Sequence, residues 1–252
     1  MKKLNFIIKC GLALLLLSFY SCESWLNVTP SDRLSEEMLF NDREGFVKAL
    51  NGVYIELNTN ELYGRNLTAG ALDVMGQYYS VASSSHAFYN YGGLVYTGND
   101  EKALFDNMWQ KCYAVIACCN TIIEKCDENK AGLSPVWRGS IKGEALALRA
   151  MLHFDMLRLF GPLTSELDKE SIPYQTNSDQ TVTPLLSGSE VVGLILDDLK
   201  NAVGLLKDTD PYFVEEEFSD TDLNYRRFRM NYFAAKGLMA RVQLWGGDKE
   251  KA

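Results

Sequence analysis

Apolar residues recur at intervals of three and four along most of this chain, which predicts a protein built from helices. From Asp42 to Leu57 the stripe is Phe46, Ala49, Leu50, Val53, Tyr54 and Leu57. From Asn99 to Asn129 it is Leu104, Met108, Cys112, Val115, Cys119, Ile122 and Cys126, with Trp109, Ile116 and Ile123 beside it. Ser134-Pro135 is an N-cap followed by a proline at the first helical position, and Gly161-Pro162 is a stop, so a helix is predicted between them. Ser187-Gly188-Ser189-Glu190 forms a capping box that opens a helix to about Lys207, with Val192, Ile195, Leu199, Ala202, Val203 and Leu206 inward. A last helix is expected from about Arg227 to Trp245, and Asp248 reads as the N-cap of one more, which predicts that the chain continues.

The helix ending at Gly161 differs from the others. Between Gly143 and Phe160 its polar side chains are Glu144, Arg149, His153, Asp155 and Arg158, and the rest is apolar. At 100° per residue, Glu144, Asp155 and Arg158 share one face, while Arg149 and His153 lie nearly opposite. A helix with no broad polar face belongs among other helices rather than on the surface. Glu144 and Arg149 are about 140° apart and cannot pair with each other. Each needs a partner on a neighbouring helix, because an unpaired buried charge is costly. They are therefore expected to act as structural ties, and His153 as a satisfied core residue.

Two stretches lack helical spacing. Asn58 to Gly98 carries Gly64, Gly70, Gly76, Gly92, Gly93 and Gly98 among aromatic residues and the serines 83–85. It is expected to be a long irregular segment with one short helix, and such segments in compact domains are often functional. A loop with Pro173 and Pro184 follows the central helix, and the acidic stretch Asp208 to Asn224 reads as a solvated connector. No oxygen-ligand turn suited to calcium is evident there.

The net charge is −8, and an acidic surface repels phosphate backbones, which excludes nucleic acid as a partner. Lys2, Lys3 and Lys9 precede the apolar run Cys10–Tyr20, so residues 1–21 read as an export signal. Phe19-Tyr20-Ser21-Cys22 resembles a bacterial lipobox, with Cys22 as the lipidated residue; a plain secretory signal is the alternative. No other apolar run approaches the ~18 residues of a membrane span, so the expected membrane link is an anchor. Cys112, Cys118, Cys119 and Cys126 fall in one helix. Cys112, Cys119 and Cys126 are spaced seven apart, or about 10 Å per step, too far for an intrahelical disulfide or a shared zinc. All four are read as small core residues.

Several of these pieces together resemble the SusD/RagB-like outer-membrane lipoproteins. They are the lipobox at Cys22, Trp25-Leu26-Asn27-Val28-Thr29-Pro30 with Leu34-Ser35-Glu36-Glu37, and Ala49-Leu50-Asn51-Gly52-Val53-Tyr54. Trp109 and Tyr113 with Asn120-Thr121-Ile122-Ile123 come next, then the GEAxxLRA helix ending in Phe160-Gly161. Ile172-Pro173-Tyr174, Ile195-Leu196-Asp197-Asp198-Leu199 and Ala234 to Asp248 complete the set. Pro162 directly after Gly161 and the single acid Glu23 after Cys22 depart from the family pattern.

The resemblance implies an all-α, tetratricopeptide-like helical repeat scaffold with long irregular ligand loops, occupying residues 22–252 as an incomplete N-terminal domain. It implies a nutrient-uptake lipoprotein, anchored in the outer membrane and exposed at the surface. Such a protein binds an oligosaccharide or peptide and delivers it to a SusC-like TonB-dependent transporter, with no metal or cofactor. Small residues at Ala235, Ala240 and Ala252 agree with paired repeat helices, although no clean 34-residue period survives.

Binding sugars without cleaving them calls for flat aromatic faces and planar polar groups. The stretch from Asp73 to Asn99 supplies them, with His86, Phe88 and Asn90 among its residues. The candidates taken from it are Asp73, Gln77, Tyr78, Tyr79, Tyr89, Tyr91, Tyr96 and Asn99. The adjacent Tyr78 and Tyr79 are expected to point apart. The chain carries no Gly-x-Ser-x-Gly, HExxH or P-loop pattern, and acids adjacent in sequence do not make a glycosidase pair, so no enzyme is expected. The competing reading is a lipid-anchored helical-repeat scaffold that binds a partner protein and no small ligand. Labelled palmitate should enter the wild-type protein in cells and not a Cys22→Ala variant; equal labelling of the two would contradict the lipidation of Cys22.

Overall fold

The computed structural model describes residues 36–179, 181–214, 218–219, 225–248 and 250. Residues from Phe40 on form one compact unit, and Met1–Leu39 form another, of which the short helix α1 (Glu36–Leu39) is described. The export signal, Cys22 and the start of a helix after Asp248 lie outside the described residues.

Helix α2 (Arg43–Leu57) begins at Asp42, whose carboxylate accepts from Gly45 N–H at 2.8 Å. Two short helices, α3 (Ala71–Met75) and α4 (Tyr89–Gly92), interrupt the glycine-rich stretch, one more than expected from sequence. Helix α5 (Asn99–Glu128) ends at Asn129, which takes the left-handed conformation (φ 45°) that asparagine tolerates. Its side chain accepts from Leu133 N–H at 2.8 Å and so shapes the turn into α6 (Pro135–Phe160). Ser134 caps α6 as its Ser-Pro start predicts.

After α6, a pair of short strands occupies ground that reads as loop in the sequence. β1 (Glu170–Pro173) and β2 (Leu185–Ser187) run antiparallel. Strands of three and four residues are too short to show an alternating pattern. Ser187 then closes the capping box of α7 (Gly188–Thr209). The last described helix, α8 (Tyr232–Trp245), starts later than its apolar pattern suggests, because Asn231 supplies the cap by accepting from Ala234 N–H at 2.9 Å.

The central position of α6 follows from its composition. Every residue from Gly143 to Leu157 except Met151 is buried. Contacts with α5 pair Asp127 with Lys142, Asn120 with Arg149 and Trp109 with Phe160, so the two helices run antiparallel. On the other flank Gly139 lies against Thr209, Gly143 against Leu206, and Arg149 binds Asp198, so α7 is antiparallel as well. A Cβ on Gly143 would stand 2.8 Å from Leu206 Cγ, which is why a small residue is needed there. α2 and α8 also pack on α6.

Two buried polar clusters fix this arrangement. Arg149 Nε and Nη2 donate to the two oxygens of Asp198, both at 2.7 Å, and Nη1 donates to Asn120 at 2.9 Å. Tyr174 OH also donates to Asp198, at 2.5 Å, and stacks on His153. His153 Nδ1 lies 3.0 Å from Arg149 O, and its Nε2 accepts Gln175 N–H at 3.0 Å. Burial, together with the Arg149 charge, brings this imidazole down to about 3, so it is neutral.

In the second cluster Glu144 accepts from Arg226, from Arg229 (2.8 Å) and from Tyr54 OH. Arg226 also binds both oxygens of Asp210, at 3.1 and 2.6 Å. Two carboxylates face two guanidinium groups, so the cluster is formally neutral. Burial, then the Glu144 charge, holds the Tyr54 phenol well above its usual range, so it stays a donor. Among the described residues no buried side-chain nitrogen or oxygen lacks a partner.

Three details depart from the sequence reading. Asp210, placed there in a solvated connector, is fully buried, because Arg226 lies sixteen residues on and draws it in. Cys118 is exposed, whereas Cys112, Cys119 and Cys126 are buried; Cys118 sits one residue off their shared face. On α7 it is Val191, not Val192 or Val203, that reaches the core.

Arg149→Ala should lower the unfolding free energy by about 3–5 kcal/mol, since it strands Asp198 in the interior. Lys200→Ala, at an exposed pair with Asp197, should cost no more than about 0.5 kcal/mol. Denaturant unfolding of the two variants checks this; equal small losses would contradict a tie at Arg149.

Candidate functional site

Residues 58–98 leave the helical bundle and return to it, and small local devices fold them. Tyr63 OH donates to Asp155 on α6 at 2.6 Å. Gly70 N–H reaches back to Arg65 O at 2.7 Å, a turn so close that a Cβ on Gly70 would stand 2.6 Å from that oxygen. Gln77 (φ 60°) turns the chain out of α3, and its amide donates to Val74 O (3.2 Å) and Gly92 O (2.9 Å). Asn90 donates to Glu101 at 2.7 Å, tying α4 to the start of α5.

A small satellite core holds the segment together. Ala71, Val74 and Tyr91 are buried, with Met75, Val81, Phe88, Tyr96, Leu104 and Phe105 packed around them. Tyr91 meets Phe88, Tyr96 and Phe105, and Phe105 in turn meets Phe160 at the end of α6. Burial raises the Tyr91 phenol to about 12, so it is neutral.

On the outside of this satellite core lies an open hollow of about 510 Å³. Gly64, Arg65, Ala69 and Gly70 line one side of it, and Tyr79 to Ser83, His86 and Phe88 line the other. Tyr79 OH donates to Ala69 O and lies 3.3 Å from Gly70 O, so its hydroxyl is spent on holding the two sides together. The Arg65 guanidinium sits over the Phe88 ring, 5.7 Å from its centre. Aromatic walls and polar rim groups suit a hydroxyl-rich or charged ligand. None of the described residues that line it is a carboxylate.

The eight residues singled out in the sequence fall in different places. Tyr79 lines the hollow. Tyr78, next to it, is 83% exposed and does not line it. Tyr89 is exposed at the start of α4, and Asn99 is exposed at the start of α5. Asp73 is half-buried in the first turn of α3. Gln77 is occupied in closing its own turn. Tyr96 packs on Tyr91 and Phe105, and Tyr91 itself, at 2% exposure, has no ring face left for a ligand.

Residues 24–244 match the SusD-like family described as "Starch-binding associating with outer membrane". The chain belongs to this SusD-like family. SusD-like protein P2 of Formosa agariphila is 24% identical over 257 residues, covering 99% of this chain and 44% of that protein. A SusD-like protein of Bacteroides ovatus is 30% identical over 146 residues, 56% of this chain and 23% of that protein. The chain spans less than half the length of these curated relatives.

Among solved structures, a SusD-like carbohydrate binding protein from Bacteroides vulgatus superposes with a TM-score of 0.66 at 24% identity. The match covers 84% of this chain and 43% of that one. A laminarin binding SusD-like protein gives 0.61 at 16% identity, covering 84% and 42%. These likenesses establish the SusD-like helical fold.

On this SusD-like scaffold the segment singled out in the sequence carries the hollow, and part of the hollow's lining lies before it. Arg65 lies before the aromatic stretch, outside the eight residues picked from the sequence. The glycines 64 and 70 beside it were the available signal, since they allow the close turn that carries Arg65 to the rim.

Proposed function

We propose that this SusD-like chain captures a glycan at the cell surface, holds it without cleaving it, and delivers it to a SusC-like TonB-dependent transporter. The observation that carries this reading is the hollow beside Tyr79, His86 and Phe88, where aromatic side chains and polar rim groups stand together outside a rigid helical bundle. A scaffold that only bound other proteins would have little need of such a long excursion between two helices. The names of its relatives support the reading, since they speak of carbohydrate and laminarin binding. Lipidation at Cys22 anchors the protein to the outer membrane, exposed at the cell surface. The eight residues picked from sequence reduce here to Tyr79 as a wall, with Tyr78 and Tyr89 as exposed rings that an extended ligand reaches outside the hollow.

Calorimetric titration of the full-length protein with oligosaccharides and peptides tests this. An oligosaccharide should bind with no release of reducing ends, and Phe88→Ala should weaken it up to tenfold, provided its melting temperature holds. Binding of peptides alone, or the appearance of new reducing ends, would contradict the proposal.

A further inference from the structure

We infer that the hollow selects a glycan bearing negative charge, as a uronate carboxylate or a sulfate ester, and that Arg65 determines this preference. The inference rests on the reading of the hollow as the glycan site.

Arg149, Arg158, Arg226 and Arg229 each hold a carboxylate. Arg65, like Arg43, Arg138, Arg227 and Arg241, has no such partner among the described residues, and of these five it is the one that lines the hollow. Its Nε donates to Asn66 Oδ1 at 3.1 Å, and Asn66 is itself buried. With Phe88 under the guanidinium, the side chain is held from two sides. Both terminal nitrogens keep their hydrogens for a ligand, in the planar fork that matches a carboxylate or a sulfate.

The rest of the lining is of the same kind. His86 Nδ1 accepts Phe88 N–H at 3.1 Å, so in the neutral ring Nε2 carries the hydrogen and is a second donor. Ser80 and Ser83 add hydroxyls, and Ser83 Oγ lies 2.9 Å from Ser85 Oγ. A site for neutral sugars gains from acceptors as well as donors, because every sugar hydroxyl carries a hydrogen to give. Here a cation stands with an imidazole and two hydroxyls, and none of the described lining residues is a carboxylate, on a chain with 33 acidic residues and 25 basic ones. Over the whole molecule the field disfavours anions, so a local preference for them has to come from these groups.

The test is calorimetry on the full-length protein in two arms. One compares tetragalacturonate with its methyl ester, and the other a sulfated galactan tetrasaccharide with its desulfated form. In at least one arm the charged member should bind about tenfold tighter or more. Arg65→Gln should abolish that difference at an unchanged melting temperature, whatever it does to the neutral members, and Arg65→Lys should restore it in part. The arm that shows the difference identifies carboxylate or sulfate as the source. Equal binding of charged and neutral members in both arms, or a difference that survives in Arg65→Gln, overturns the charge preference and leaves glycan capture standing. If no oligosaccharide binds, the reading of the hollow as a glycan site fails, and the charge preference with it.

Discussion

Everything in this fold depends on neutralising the charges of one buried helix. α6 is enclosed along its length, yet it carries Glu144 on one side and Arg149 on the other. Neither can be left alone in the interior, where an unpaired charge costs several kcal/mol. Each therefore recruits a different part of the chain. Arg149 fastens α7 through Asp198, α5 through Asn120, and the turn after β1 through Thr176 O at 3.5 Å. Glu144 gathers α2 through Tyr54 and the approach to α8 through Arg226 and Arg229. Four helices and two connections are thus held in register by two side chains that never meet.

That arrangement separates scaffold from site. The bundle's buried polar groups are engaged in fixing one helix to the next. Residues 58–98 escape this constraint. They carry their own small core around Tyr91 and meet the bundle through Tyr63 on Asp155, Asn90 on Glu101, and Tyr91 and Tyr96 on Phe105. A segment with its own packing can vary its rim without disturbing the helices, as loops placed on a rigid frame generally do. The proposed glycan site and its charge preference both belong to this segment.

Much of the frame was legible because helix signals are local. Asp42, Ser134 and the Ser187–Glu190 box act within one turn of themselves, and the all-round apolar character of α6 says directly that it is central. What could not be read depends on distant partners. Asp210 looked solvated because nothing nearby in sequence announces Arg226 folding back on it. The late start of α8 has the same origin, since Arg226 and Arg229 are pulled toward Glu144 before the helix begins. The strand pair is too short to leave a pattern. In the candidate site, composition singled out the segment but could not tell its rings apart. Tyr78, Tyr79 and Tyr91 are alike in sequence, and only packing makes one exposed, one a wall and one a core residue.

The central claim is that a fixed bundle carries a separate binding segment. Amide hydrogen exchange of the full-length protein, with and without a bound oligosaccharide, tests it most directly. The account predicts slow exchange throughout α6 that the ligand leaves unchanged, and new protection confined to residues 64–88. Ligand-dependent protection along α6 and around Tyr54 and Arg229, with none in 64–88, would contradict it.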